Sequence, residues 1–199
     1  MAGPGDLQLP PDARGRLCSG LATAIVEKGY AATTIADIVR HARVSKRTFY
    51  EHFSDKEDCY LALYAAGNDL LLEVIAAAAA GPGTWQERIE AAARAYLTQL
   101  AAMPALTRTF LLEIQAAGPR ALAARRAMHA RFAEHLRTLT AQAAAEDPAI
   151  TPLSPALATA VAGGINELML EAVEDGRTDE LADLTGVATQ LIVAVASAG

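Results

Sequence analysis

Apolar residues recur at three- and four-residue spacing along most of the chain, and nowhere do they alternate over the length of a strand. That period is the signature of amphipathic helix. From Asp12 to about Lys28, Leu17, Leu21, Ala24 and Ile25 share one face, and Gly29 supplies a C-terminal stop. Thr34 then precedes Ile35, Ala36 and Asp37 in a Thr-x-x-Asp opening that resembles a capping box. Ile35, Ile38 and Val39 form the inward stripe of a short second helix. A break of about three residues at Ala42, Arg43 and Val44 leads to Ser45, a good N-cap for a third short helix with Phe49 and Phe53 one turn apart. Ser54 and Asp55 open a longer fourth helix that runs to about Ala80 and ends at Gly81-Pro82-Gly83.

Past that stop the expected helices are longer. A fifth covers about Thr84 to Ala102, and Pro104 restarts the chain in a sixth that ends before Gly118-Pro119. A seventh spans about Arg120 to Ala145, and three prolines between Asp147 and Pro155 mark a loop. The eighth covers about Ala156 to Asp175, Gly176 stops it, and a ninth runs from about Asp179 to Ser197. Alanine at 46 of 199 positions favours helix over strand. The pattern predicts an all-α protein of about nine helices. Residues 1–11 read as a mobile tail, 12–56 as a three-helix helix-turn-helix domain, and 57–199 as a helical bundle.

Charge changes the picture for the head alone. The net charge of −6 speaks against a nucleic-acid partner until it is divided. From Asp12 to Lys56 eight Lys or Arg face five Asp or Glu, a balance of +3, and all three lysines lie there; the remainder balances at −9. A basic head on an acidic body points to a polyanion as partner of the head. In helix-turn-helix geometry the second helix of the pair enters the major groove with its N-terminal residues at the base edges. Here those residues are Ser45, Lys46, Arg47 and Thr48, with Tyr50 and His52 following on the outer side. Lys and Arg suit guanine O6 and N7, and the Thr methyl suits that of thymine. Thr34 and Lys56 stand at helix N-termini, where backbone N–H groups favour a phosphate.

The string from Thr33 to Ile38, continued by Val44 to Glu57 with its T-F-Y-E-H-F-S-D-K-E core, strongly resembles the DNA-binding domain of TetR/AcrR-family regulators. The resemblance covers about residues 12–60. It implies a homodimeric transcription factor, usually a repressor, that releases its operator when a small molecule enters the C-terminal domain. Carried over position by position, it assigns DNA contacts to Thr34, Ser45, Lys46, Arg47, Thr48, Tyr50 and Lys56. One position departs from the family pattern: the turn residue before Val44 is commonly glycine, and here it is Arg43. Either the turn avoids positive φ, or Arg43 offsets a cost of about 1 kcal/mol through a phosphate contact.

The remaining two-thirds carry no motif of comparable specificity. Polar or bulky residues set in Ala/Leu helices are the candidates for lining a ligand site: Tyr96, Met103, Phe110, Glu113, Met128, Phe132, Asn166 and Met169. Core packing explains each aromatic or Met equally well. Glu113, among Phe110, Leu111, Leu112 and Ile114, could meet a cationic ligand, pair with Arg108 or face solvent. With few charges in this lining, the expected effector is a largely apolar small molecule. Small residues beside Leu157, Val161, Ile165 and Leu168, and the apolar row Leu184, Val187, Leu191 and Val195, predict a homodimer through helices 8 and 9.

Other classes fit less well. No uninterrupted apolar run reaches the ~18 residues of a membrane span, and Met1 to Arg16 lacks a signal-peptide pattern, so the expectation is a cytoplasmic protein without a membrane partner. Cys18 and Cys59 stand 41 positions apart with no CxxC partner, as in a reduced chain. No metal and no cofactor is expected: His129 and His135 are six apart, and no phosphate loop, HExxH or GxSxG is present. The sequence therefore reads as an operator-binding regulator rather than an enzyme. The alternatives are a helical interaction protein or a small-molecule binder without an operator.

Overall fold

The computed structural model describes residues 9–114 and 118–198. Residues 1–8 of the expected tail, residues 115–117 at the expected end of the sixth helix, and residue 199 lie outside that description. Nine α-helices and no strand occur among the described residues. They are α1 (Ala13–Ala32), α2 (Ile35–Ala42), α3 (Lys46–His52), α4 (Lys56–Ala79), α5 (Trp85–Ala101), α6 (Pro104–Arg108), α7 (Pro119–Glu146), α8 (Pro155–Glu174) and α9 (Thr185–Ala196).

The starts and stops follow the side chains that announced them. Asp12, Thr34, Ser45, Thr84 and Ser154 each cap a helix through a side-chain oxygen that accepts a backbone N–H. Gly29 takes φ 78° inside α1 and breaks its regular course, one turn before Ala32. Gly176, also at φ 78°, closes α8: its N–H donates to Val173 O and that of Arg177 to Ala172 O, the paired bonds of a Schellman stop.

Two segments depart from the expected regular helix. The first turn of the expected ninth helix is 3₁₀ (Thr178–Leu184), where Leu181 is fully buried and α geometry begins only at Thr185. α6 opens into a π-helical turn (Thr109–Glu113), and the Tyr60 hydroxyl donates to Thr109 O at 3.2 Å within it.

The chain forms two compact units whose boundary differs from the expected one at residue 57. The first takes residues up to Leu70 together with Met103–Ala124, and the second takes Leu71–Ala102 and 125–199. The first unit draws its core from Leu17, Leu21, Ile38, Phe49, Tyr60 and Leu63, all fully buried. α1 and α2 approach so closely that a Cβ on Gly20 would stand 2.6 Å from Ile38 O and 2.9 Å from Ala42 N. The second unit packs Trp85, Ile89, Ile150, Leu153, Val161 and Ile192 into one cluster, and the Trp85 indole N–H donates to Asp147 Oδ2 at 3.3 Å.

Two helices, α4 and α8, carry 18-residue windows long and apolar enough to cross a membrane by length and composition. Both are interrupted by charged residues, Asp69 and Glu73 in α4 and Glu167 and Glu171 in α8. In α4 the aromatic residues Tyr60 and Tyr64 face inward, whereas α8 leaves Leu157 exposed.

Candidate nucleic-acid interface

The first helix of the pair, α2, is fixed at its start by a reciprocal capping box. The Asp37 N–H donates to Thr34 Oγ1 at 3.3 Å, and the Thr34 N–H donates back to Asp37 Oδ2 at 2.9 Å. The same oxygen accepts from the Thr34 hydroxyl and from Lys28 Nζ, each at 2.6 Å. The Lys28 hydrogen bond and then the Thr34 donors hold the Asp37 carboxyl well below the usual carboxylate range. A carboxyl depressed in the folded state stabilises fully above its ordinary value of 3.8, and that contribution is lost as pH falls through the folded value. The wild-type urea midpoint should therefore fall below about pH 4 more steeply than that of Asp37→Asn. Parallel pH profiles would show that the carboxylate carries no such linkage.

The turn between α2 and α3 is made by Arg43 at φ 52° and ψ 46°, the only non-glycine residue at positive φ among those described. Its N–H donates to Arg40 O at 3.3 Å and that of Val44 to Val39 O at 3.1 Å, so a Schellman stop is built on arginine. The alternative in which the turn avoids positive φ is thereby closed. An L-residue in this conformation costs about 1–2 kcal/mol. Arg43→Gly should raise stability by about 1 kcal/mol in urea titration. If the exposed guanidinium meets a phosphate, the same change should weaken DNA binding in a gel shift; tighter binding would remove Arg43 from the interface.

Ser45 caps α3 by accepting the Thr48 N–H at 3.0 Å, and its Oγ lies 3.0 Å from Thr48 Oγ1. Phe49 is fully buried, edge-on to Tyr50 and 5.8 Å from Phe53 between ring centres. With that ring turned inward, Lys46, Arg47, Tyr50 and His52 are left exposed, in line with Ser45 and Arg43. Arg47 Nε donates to Glu51 Oε1 at 3.1 Å in an open i, i+4 pair, with its side chain 90% exposed. An exposed pair of this kind holds only about 0.2–1 kcal/mol, so it yields readily to a phosphate or a guanine.

Lys56 stands apart from the other expected contacts. Its ammonium donates to Tyr30 O and Thr33 O, each at 2.9 Å, and lies within 3.4 Å of Ala31 O and 4.3 Å above the Tyr30 ring. Burial pulls its pKa down while Glu113 opposes the shift. The cation thus binds the carbonyl end of α1 instead of standing free at the start of α4. Sequence reasoning missed this because the partners lie 23 to 26 positions away. It also missed Arg14, whose guanidinium sits 5.1 Å over Phe53 at the end of α3.

The expected ligand residues divide between the units. In the first, Phe110 lies edge-on to Tyr64 at 5.2 Å, Met103 precedes α6, and Glu113 has a buried Oε2 with no hydrogen-bond partner among the described residues. In the second, Tyr96 and Phe132 pack at 5.4 Å against the cluster of Ile75, Ala79 and Ala92, while Met128 and Met169 are buried. His129 accepts a hydrogen bond from or donates one to Asn166, and burial, then Arg125, pulls its pKa down. None of these five lines the groove of about 390 Å³ that Ala76, Ala79, Arg88, His135, Leu139 and Glu146 border.

Comparison with known proteins places these features among relatives. Residues 20–63 match the family described as bacterial regulatory proteins, tetR family. An HTH-type transcriptional activator, FasR of Mycolicibacterium smegmatis, is 33% identical over 90 residues, 45% of this chain and 41% of that protein. The chain therefore spans less than half the length of this curated relative. Among solved structures, a fatty acid degradation regulator FadR from Bacillus halodurans superposes with TM-score 0.77 at 18% identity over 90% of this chain and 94% of that one. FadR from Bacillus subtilis in complex with stearoyl-CoA gives 0.75 at 18% over 89% and 96%. AibR in complex with isovaleryl coenzyme A and operator DNA gives 0.63 at 22% over 91% and 98%.

Proposed function

We propose that this chain, whose residues 20–63 match the tetR family of bacterial regulatory proteins, is a homodimeric repressor released from a palindromic operator by a small, largely apolar ligand. The observation that carries the DNA-binding part is the exposed face of Ser45, Lys46, Arg47 and Tyr50, held outward by the buried Phe49 and by caps at both ends of the turn. Thr34, Arg43, Thr48 and His52 complete the proposed interface. Lys56 joins it as a positioning residue that ties the end of α1 beside Thr34. A two-fold dimer would read half-sites about 34 Å apart or at a multiple of that spacing. Nuclease protection of promoter fragments, including the chain's own, tests this: a two-fold symmetric footprint is expected, and uniform cleavage at low salt overturns it.

The apolar surface of α8 and α9 supports the dimer. Leu157 is 48% exposed and Val187 43%, in helices otherwise rich in small residues. Packing α8 and α9 against those of a second copy would cover both. Light scattering at micromolar concentration should give twice the chain mass, and Leu157→Glu with Val187→Glu should shift it towards one. A monomeric wild type sinks the interface.

Ligand release is proposed to act through α4, whose first part belongs to one unit and whose second part belongs to the other. Tyr96, Met103, Phe110, Glu113, Met128, Phe132, Asn166 and Met169 are the proposed ligand residues. Relatives of this fold crystallised with acyl-CoA esters make long-chain acyl-CoA the first probe, ahead of other apolar molecules. A ligand that prefers the non-binding state ~100-fold supplies about 2.7 kcal/mol of coupling, and operator must weaken its binding equally. Calorimetry with and without operator decides this, and unchanged ligand affinity excludes the probe as inducer. The activator FasR favours the opposite sign of regulation as a second reading. Deleting the gene should raise transcription of the bound promoter under repression and lower it under activation. We further propose that the protein acts in the cytoplasm, where operator DNA is available.

A further inference from the structure

Three carboxylates stand at the start of α4, and the cap of that helix orients two of them. The Asp58 N–H donates to Asp55 Oδ1 at 2.7 Å, and the Ser54 N–H and hydroxyl donate back to Asp58 Oδ2 at 3.1 and 3.3 Å. Each aspartate thus commits one oxygen to the cap and keeps the other for a partner. One guanidinium meets both. Arg120 Nη2 donates to Asp58 Oδ1 at 2.9 Å, and its Nη1 lies 3.6 Å from Asp55 Oδ2 and 3.7 Å from Glu57 Oε2. The other oxygen of Glu57 is buried with no hydrogen-bond partner among the described residues, so Arg120 is the cation that offsets its charge.

The place of Arg120 needs a reason, because it lies on the first turn of α7, where the helix dipole favours an anion over a cation. The carboxylates of α4 supply it. A lone exposed ion pair holds little, since two long side chains must be ordered for one contact. Here one planar guanidinium is shared by three carboxylates of a single turn, two of which the cap has already fixed. The Ser54 N–H above all, and Arg120 to a smaller extent, hold the Asp58 carboxyl below its ordinary range, so this acceptor stays charged at neutral pH.

The same turn reaches the operator head on its other side. Lys56, between Asp55 and Glu57, binds Tyr30 O and Thr33 O at the end of α1, next to the Thr34 that caps α2. All of these residues belong to the first unit.

We infer that Arg120 is a positioning residue for operator binding: by clasping Asp55, Glu57 and Asp58 it fixes the start of α4, and through Lys56 the end of α1 and the start of α2, in the arrangement that meets DNA. This inference rests on the operator-binding reading above and deepens it, because it also gives the ligand segment a route to the head. Along the chain, the proposed ligand residues Phe110 and Glu113 lie between two ties to α4, the Tyr60 bond to Thr109 O and the Arg120 clasp. A ligand that displaces this segment pulls on the clasp.

The test compares the full-length wild type with Arg120→Gln, Arg120→Lys, Arg120→Glu and the charge exchange Arg120→Glu with Glu57→Arg. The probes are the fragment of the chain's own promoter that wild type protects from nuclease and a random duplex of the same length. Arg120→Gln should keep native helicity, with a melting temperature lower by less than about 4 °C. Its affinity for the promoter fragment should fall roughly fivefold, as the share of molecules in the binding arrangement falls, while affinity for random DNA stays unchanged. Arg120→Lys should lie between wild type and Arg120→Gln, because a point charge cannot serve three carboxylates as a planar fork does. Arg120→Glu should bind the fragment least, and the charge exchange should recover part of the loss.

Unchanged promoter affinity in a folded Arg120→Gln overturns the inference. Equal losses on promoter and random DNA also overturn it, and assign Arg120 to a phosphate instead. A charge exchange that gains nothing over Arg120→Glu in promoter affinity overturns it whatever the helicity of the single variants. A wild type that protects no promoter fragment refutes the operator reading itself, so the two failures are distinguishable.

Discussion

Phe49→Ala should lose operator binding altogether while leaving much of the chain helical. The ring is fully buried beneath α3 and touches Tyr50 and Phe53. Truncating a buried phenylalanine costs about 3–5 kcal/mol through lost transfer energy and the cavity left behind. A helix of seven residues cannot persist without such an anchor, because helices shorter than about 12 residues are marginal in water. The second unit has its own core around Trp85, Ile89 and Ile192 and should retain its helices. Urea titration followed by circular dichroism should show an early transition for the head and a later one for the rest. Tyr50→Ala is the matching control, since Tyr50 is 59% exposed and its loss should leave the urea transitions in place. Wild-type operator affinity in Phe49→Ala would show that α3 is not the reading element.

Lys46→Ala and Arg47→Ala should each reduce discrimination between operator and random DNA, with little change in stability. Both side chains are exposed on the first turn of α3, where a groove-bound helix presents its base-reading residues. A lost contact to guanine costs about 1–3 kcal/mol of discrimination. For Arg47 the gain must exceed the open pair with Glu51, worth at most about 1 kcal/mol, so the balance favours DNA. Glu51→Ala should therefore leave binding unchanged or tighten it slightly. Gel shifts on operator and scrambled DNA at two salt concentrations separate the cases. Equal losses on both DNAs for both variants would assign the two cations to phosphates and leave base readout to Tyr50, Thr48 and Ser45.

What the sequence determined by itself was everything governed by neighbours within a turn. The Thr34–Asp37 box, the Ser45 cap, the Gly176 stop and the inward Phe49 are set by contacts three to five residues apart, and each shows in a short window. Arg43 was legible as a departure, and the structure resolved it in favour of positive φ because the chain must reverse there between two fixed helices. Tertiary structure alone decided the rest. Lys56 is drawn onto carbonyls of α1 because folding brings an ammonium to unpaired acceptors more than 20 residues away. The start of the ninth helix tightens to 3₁₀ where Leu181 is buried, and α6 widens where Tyr60 reaches Thr109 O. The compact units part inside α4 and α7, since a continuous helix carries no local mark of which core each of its turns joins. Local hydrogen bonds and backbone preferences are written residue by residue. The partners of a buried cation or a core helix turn depend on which distant surfaces are brought together, and that information lies in no single stretch of the chain.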